Sequence, residues 1–168
     1  MMLTIKQLQP IDFSNFEELL SLAAGRKHRS LPYAGDVTPE EAYHYLKTNE
    51  GLLLDVRTLP EWQFTGTPDM TEAKGGFATI SWKMYPTFAS NPQFIETLAN
   101  VKDLNKDTPI FCICRSGGRS LDAAIAATDA GWRYCFNVIG GFEGEPDRAG
   151  HRGTEQGWKA VGLPWKQG

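Results

Sequence analysis

The sequence predicts an α/β fold: a central, mostly parallel sheet of about five strands flanked by helices. Two observations carry this expectation. Leu52–Val56, Ile110–Ile113 and Tyr134–Val138 are short continuous apolar runs, the pattern of strands covered on both faces. Capped helical patterns lie between them, and alternation of strand with helix is the mark of a parallel sheet.

The elements follow in order. Ser14-x-x-Glu17 reads as a capping box, with Phe13, Phe16, Leu19, Leu20 and Ala23 forming an apolar stripe. A helix packed on the protein's own body is expected there, with a partner-docking face as the alternative. The basic run Arg26-Lys27-His28-Arg29 reads as a solvated linker. Thr38-Pro39-Glu40-Glu41 joins a capping box to a proline at the first helical position, and Ala42, Tyr45 and Leu46 share one face. Leu52–Val56 and Phe77–Trp82 are expected strands. Asn91-Pro92 opens a helix that turns Phe94, Ile95, Leu98 and Val101 inward. Ile110–Ile113 is the central strand, Ser120 to Ala130 the helix behind the turn that follows it, and Gly131 its stop. Tyr134–Val138 is expected to close the sheet. No internal repeat or low-complexity stretch interrupts this order.

The chemistry concentrates after the central strand. Cys114 ends the apolar run, and Arg115-Ser116-Gly117-Gly118-Arg119-Ser120 leads into the helix. A thiol at that junction faces unpaired backbone N–H groups and the positive end of a helix dipole. Both favour thiolate, as do two flanking arginines, and the thiolate is the nucleophile. Gly117 and Gly118 let successive amides turn inward as an anion-binding nest. Cys112 and Cys135, inside apolar runs, read instead as inert small hydrophobes. The bland alternative for the loop is an ordinary tight turn carrying surface arginines.

Loop length separates two kinds of thiol enzyme. Cysteine phosphatases resemble one another in having cysteine, five residues, then arginine; here arginine arrives one residue early, at Arg119, and Ile113 stands where histidine is common. The loop Cys114 to Arg119 resembles that of the rhodanese family. Leu52-Leu53-Leu54-Asp55-Val56-Arg57 with Glu61-Trp62 is similar to its first motif, and Asn137-Val138-Ile139-Gly140-Gly141-Phe142 to its last. Thr65-Gly66-Thr67-Pro68-Asp69-Met70 departs from the Gly-His-Ile-x-Gly-Ala often found there. The resemblance implies a rhodanese-like three-layer domain over residues 36–145, with an N-terminal extension over 1–35 and a C-terminal tail over 146–168 packed on the domain. Trp158 and Trp165 are expected to pin that tail.

It also implies a thiosulfate sulfurtransferase-like activity. Cys114 would take a sulfane sulfur as a persulfide, held by Arg115, Ser116, Gly117, Gly118, Arg119 and Ser120, and pass it to a thiol or cyanide. A small anionic donor, a thiol acceptor and an acceptor protein are the partners this suggests, with no organic cofactor and no metal. Asp55 and Arg57 could tune the thiol; the alternative is a structural ion-pair network with Glu61. A protein-binding or sulfur-relay module is the runner-up function, ahead of a cysteine-dependent phosphatase or arsenate-type reductase.

Bulk properties agree. The 168 residues, 41% hydrophobic and 22% charged, suffice for one buried core. A formal net charge of −3 and pI near 5.6 exclude nucleic acid as a main partner, and the cationic loop stands out against that acidic background. No apolar run approaches the roughly 20 residues of a membrane span. The opening Met1-Met2-Leu3-Thr4-Ile5-Lys6 carries no signal-peptide pattern. Three cysteines suggest a reducing cytoplasm over a disulfide scaffold. His28, His44 and His151 show no metal-ligand spacing; for His151 a reach from the tail to the site mouth is the expectation.

Overall fold

The computed structural model describes residues 12–27 and 30–168. The opening hexapeptide and two members of the basic run, His28 and Arg29, lie outside the described residues. Helices α1 (Phe16–Gly25), α2 (Pro39–Thr48), α3 (Leu59–Phe64), α4 (Phe94–Ala99) and α5 (Gly118–Asp129) surround strands β1 (Gly35–Val37), β2 (Leu52–Asp55), β4 (Gly76–Thr79), β7 (Ile110–Ile113) and β8 (Cys135–Val138). These strands form one parallel sheet in the order β1-β8-β7-β2-β4. Two short antiparallel pairs stand apart: β3 (Thr67–Pro68) with β9 (Trp165–Lys166), and β5 (Lys83–Met84) with β6 (Ala89–Ser90).

Side chains alternate across a strand, so each buried strand feeds two cores. Leu52, Leu54, Ile110, Cys112, Cys114 and Cys135 face one cluster with Phe94 and Leu98 of α4 and Ala123, Ala124 and Ala127 of α5. Leu53, Phe111, Ile113, Phe136 and Val138 face the other, with Leu19 and Ala23 of α1, Ala42, Tyr45 and Leu46 of α2, and Trp158. Helix layers therefore cover both faces of a five-stranded sheet, the three-layer architecture expected. The small alanine face of α5 lets that helix lie close over the strand that carries Cys114.

The departures have physical causes. The run ending at Val138 does not close the sheet: β8 lies between β7 and β1, and β1 is the edge. Only three residues long and holding Gly35 and Asp36, β1 carries too little apolar pattern to announce itself. The strand expected over Phe77–Trp82 ends at Thr79, because its partner β2 ends at Asp55; Ile80 and Trp82 still donate backbone bonds to Asp55 and Val56, both at 3.0 Å. In α1 the cap is Asn15, whose side chain accepts from Glu18 N at 3.1 Å, while the Ser14 hydroxyl is turned back on Asp12. Arg26 is solvent-exposed, as expected of a linker residue, yet it is paired. It grips the buried Glu41 carboxylate at 2.5 and 3.1 Å and ties the end of α1 to the start of α2.

Trp158 is fully buried, edge-on to Tyr43, and its indole N–H donates to the Pro164 carbonyl at 2.7 Å. Trp165 stays 42% exposed, so the two tryptophans do unequal work. The segment that departs from the family pattern, Thr67–Pro68, is the one that β9 joins.

Candidate active site

β7 is apolar and buried throughout, and delivers Cys114 to the carboxyl edge of the sheet, where open α/β sheets bind ligands. The chain then turns through Gly117, at φ 119°, a conformation that glycine adopts without a Cβ penalty and that serves as the N-cap of α5. This turn aims the Gly117 N–H at the Cys114 sulfur, 3.1 Å away. Gly118, Arg119 and Ser120 form the first turn of α5, whose N–H groups precede its first backbone bond, from Leu121 to Gly117 O at 3.4 Å. Ser120 places its hydroxyl 3.2 Å from the sulfur on the inner side and donates to Asn137 Oδ1 at 2.6 Å. Cys114 as a whole is 1% exposed.

The loop is held from behind by main chain. Phe142 N donates to Cys114 O at 2.8 Å, and Glu143 N and Gly144 N both donate to Arg115 O at 3.0 Å. The tail clasps this second loop in turn, with Trp158 N on Gly141 O at 2.8 Å and Lys159 N on Phe142 O at 3.2 Å. Cys114, Arg115, Ser116, Gly117, Gly118, Arg119 and Ser120 are thus one continuous turn backed by a second loop and, behind it, the tail.

The arginines part company. Arg119 is spent on Glu61, with its two terminal nitrogens 2.9 and 2.8 Å from the carboxylate oxygens. Burial alone would raise the Glu61 carboxyl, but bonds from Arg119 and from Thr58 bring it down to about 2. The Glu61 hydrogen bonds hold the Arg119 guanidinium still higher than usual. Arg115 is exposed and joins no ion pair among the described residues. Arg57 is fully buried. It donates to Asp55 through Nε at 2.9 and 3.1 Å and through a terminal nitrogen at 2.6 Å, then to Gly66 O at 2.8 Å and Thr65 Oγ1 at 2.9 Å. Its guanidinium also lies 4.3 Å from the Phe142 ring centroid. Asp55 and Arg57 therefore form a closed structural pair beside the site, and Glu61 belongs to Arg119 and not to them.

Cys112 and Cys135 are buried and free. Burial pushes the Cys112 thiol well up and the Cys135 thiol to about 11. His44 and His151 are exposed, and the His151 backbone closes a tail turn on Asp147. Three contributors escaped the sequence reading. Asn137 was visible as a polar residue inside an apolar strand, whereas Asp36 and Phe88 left no such mark. Phe88 tips the β5–β6 hairpin, 5.7 Å from the Arg119 guanidinium and 52% exposed. No helix among the described residues is long and apolar enough to cross a membrane.

Comparison with known proteins adds to this geometry. The profile of the rhodanese-like domain matches residues 38–144. An uncharacterized protein of Rickettsia conorii is 33% identical over 132 residues, covering 78% of this chain and 96% of its own. The thiosulfate sulfurtransferase GlpE of Actinobacillus succinogenes is 26% identical over 129 residues, covering 77% and 87%. The crystal structure of Rv0390 from M. tuberculosis superposes with a TM-score of 0.71 at 40% identity, covering 81% of this chain and 99% of that one. The Wolinella succinogenes polysulfide-sulfur transferase shares the fold, at a TM-score of 0.52 and 19% identity, over 91% and 88%.

Proposed function

The chain belongs to the rhodanese-like family, and from that premise we propose that it moves sulfane sulfur from a small anionic donor to a thiol through a persulfide on Cys114. The Cys114 thiolate attacks the outer sulfur of a donor such as thiosulfate. The donor's sulfur–sulfur bond breaks, its electron pair leaves with sulfite, and the enzyme keeps the sulfur as Cys114–S–S⁻. An acceptor thiolate or cyanide then attacks the terminal sulfur, and the electron pair returns to Cys114 as thiolate, a ping-pong exchange.

The observation that carries this reading is the turn itself: an amide aimed at the sulfur at 3.1 Å, followed by the first turn of a helix. Such donors hold developing negative charge without reorganising. Because Glu61 occupies Arg119, that residue braces the loop, and Arg115 is the exposed cation left to attract an anion. The same pairing disfavours phosphate chemistry, which would need the loop arginine free to clamp phosphate oxygens. Expression in a reducing cytoplasm suits three free thiols.

The test is intact mass after reduced protein meets thiosulfate. A gain of about 32 Da, lost on adding cyanide and absent from Cys114→Ser, is the expected result. Wild-type protein that gains nothing from thiosulfate or from polysulfide would sink the proposal. A protein acceptor is favoured over a small one by the exposed Met84, Tyr85 and Phe88 on the hairpin beside Arg119.

A further inference from the structure

A file of hydrogen bonds runs from the sulfur to the edge of the sheet. Cys114 Sγ lies 3.2 Å from Ser120 Oγ, Ser120 donates to Asn137 Oδ1 at 2.6 Å, and Asn137 Nδ2 donates to Asp36 Oδ1 at 3.3 Å. The Tyr33 hydroxyl donates to the same Asp36 oxygen at 2.9 Å. Ser120, Asn137 and Tyr33 are no more than 4% exposed, while Asp36 on β1 is half-buried. The file thus joins α5, β8 and β1 across the sheet, and Asp36 precedes the residues that match the family profile.

Its polarity is dictated from the far end. An ionised carboxylate only accepts, so Asn137 must turn its NH₂ to Asp36 and its carbonyl to Ser120. That carbonyl also only accepts, so Ser120 gives it its one proton. The Ser120 oxygen is left facing Cys114 with lone pairs alone, able to accept from S–H and unable to donate to a thiolate. For the hydroxyl to swing to the sulfur, a buried amide oxygen must lose its partner, which is costly.

We propose that Asp36 is a positioning residue that restrains the resting Cys114 thiol, through the direction it imposes on Asn137 and Ser120. The amide of Gly117 draws the sulfur toward thiolate, and the file from Asp36 draws it toward thiol. The inference rests on the reading above only in taking Cys114 as the reactive group. The other groups coupled to the thiol, Arg119 with its partner Glu61 and the neighbouring Cys112, are the same in every variant below.

The experiment follows thiolate ultraviolet absorbance between about pH 5 and 9, where Cys112 and Cys135 stay silent because burial pushes them up. Asp36→Asn can donate as well as accept, so the file can reverse and Ser120 can donate to sulfur. The half-titration pH should then fall by about one unit, the size of one hydrogen bond to a charged group. In a Ser120→Ala background the same change should move it hardly at all, and Ser120→Thr should restore the shift. An equal shift with and without the hydroxyl would overturn the proposal, because loss of a nearby negative charge acts through space. So would no shift in a folded Asp36→Asn. Should the serine variant not fold, Asn137→Leu is the background instead: it cuts the file between Asp36 and Ser120 and leaves the Asp36 charge in place, so a shift that survives there acts through space and overturns the proposal. No sulfur donor is involved, so failure of sulfur loading and failure of this titration are separate outcomes.

Discussion

β2 and β7 are neighbours of equal length, both wholly buried, and from both the chain leaves the sheet at the same edge beside a polar side chain, Asp55 in one and Cys114 just past the other. β2 ends in Asp55, beyond which Arg57 folds back to saturate it, and both side chains have no exposure. β7 runs on into Cys114, whose sulfur meets one amide and one hydroxyl and retains lone pairs. A buried charge left unpartnered is costly, so a charged strand end closes on itself. A thiol can be buried with little penalty and keep its valence for chemistry. Both exits carry an arginine within two residues of the polar side chain, and only one leaves that side chain unsaturated.

Replacing the thiol gives the largest contrast. Cys114→Ser should lose all sulfur loading while unfolding at nearly the wild-type denaturant midpoint, since a hydroxyl keeps the Gly117 and Ser120 contacts. Residual loading by mass would move the chemistry elsewhere. Next comes Arg57→Ala, which strands the Asp55 carboxylate in the core. It should cost about 3–5 kcal/mol in urea unfolding, the usual penalty for halving a buried pair. A loss below about 1 kcal/mol would mean water reaches Asp55 and the exits differ less than their geometry says.

Much of this contrast was readable before any coordinates. Apolar runs announced β2, β7 and β8, and the thiol-to-helix junction announced the loop. Partnership was not readable. Arg119 and Glu61 stand 58 positions apart and meet because β2 lies beside β7, which carries α3 over the start of α5. Asp36 was hidden for the same reason, 101 positions from Asn137 and on an edge strand with little pattern. Local signals specify elements, while ion pairs across the sheet depend on strand order.

The support behind the thiol can be broken without touching it. A Cβ on Gly141, where φ is +59°, would lie 2.5 Å from Cys114 O and 2.6 Å from Arg115 C. Those atoms are main chain and cannot step aside. Gly141→Ala should therefore cost about 1–3 kcal/mol of stability and also slow sulfur loading, because the loop has to shift. A folded variant that loads sulfur at the wild-type rate would show that the clasp is architectural only.

The smallest effect concerns Glu61, the acid that keeps Arg119 out of the anion's way. Its folded carboxyl titrates near 2 against an ordinary 4.5, so its contribution to stability is present above about 4.5 and is lost as pH falls toward 2. Wild-type denaturant midpoints should fall through that window, and Glu61→Gln should flatten the fall. The same variant exchanges an ionic partner for a neutral one, so Arg119 presents more positive charge to the donor. The KM for thiosulfate should drop by about two- to fivefold, the scale of a partly exposed ion pair, with kcat little changed. An unaltered KM beside a flattened acid limb would leave Arg119 a brace for the loop and assign donor attraction to Arg115. That outcome would extend the contrast between the two strand exits to their arginines: those with carboxylate partners build the site, and the exposed one serves the substrate.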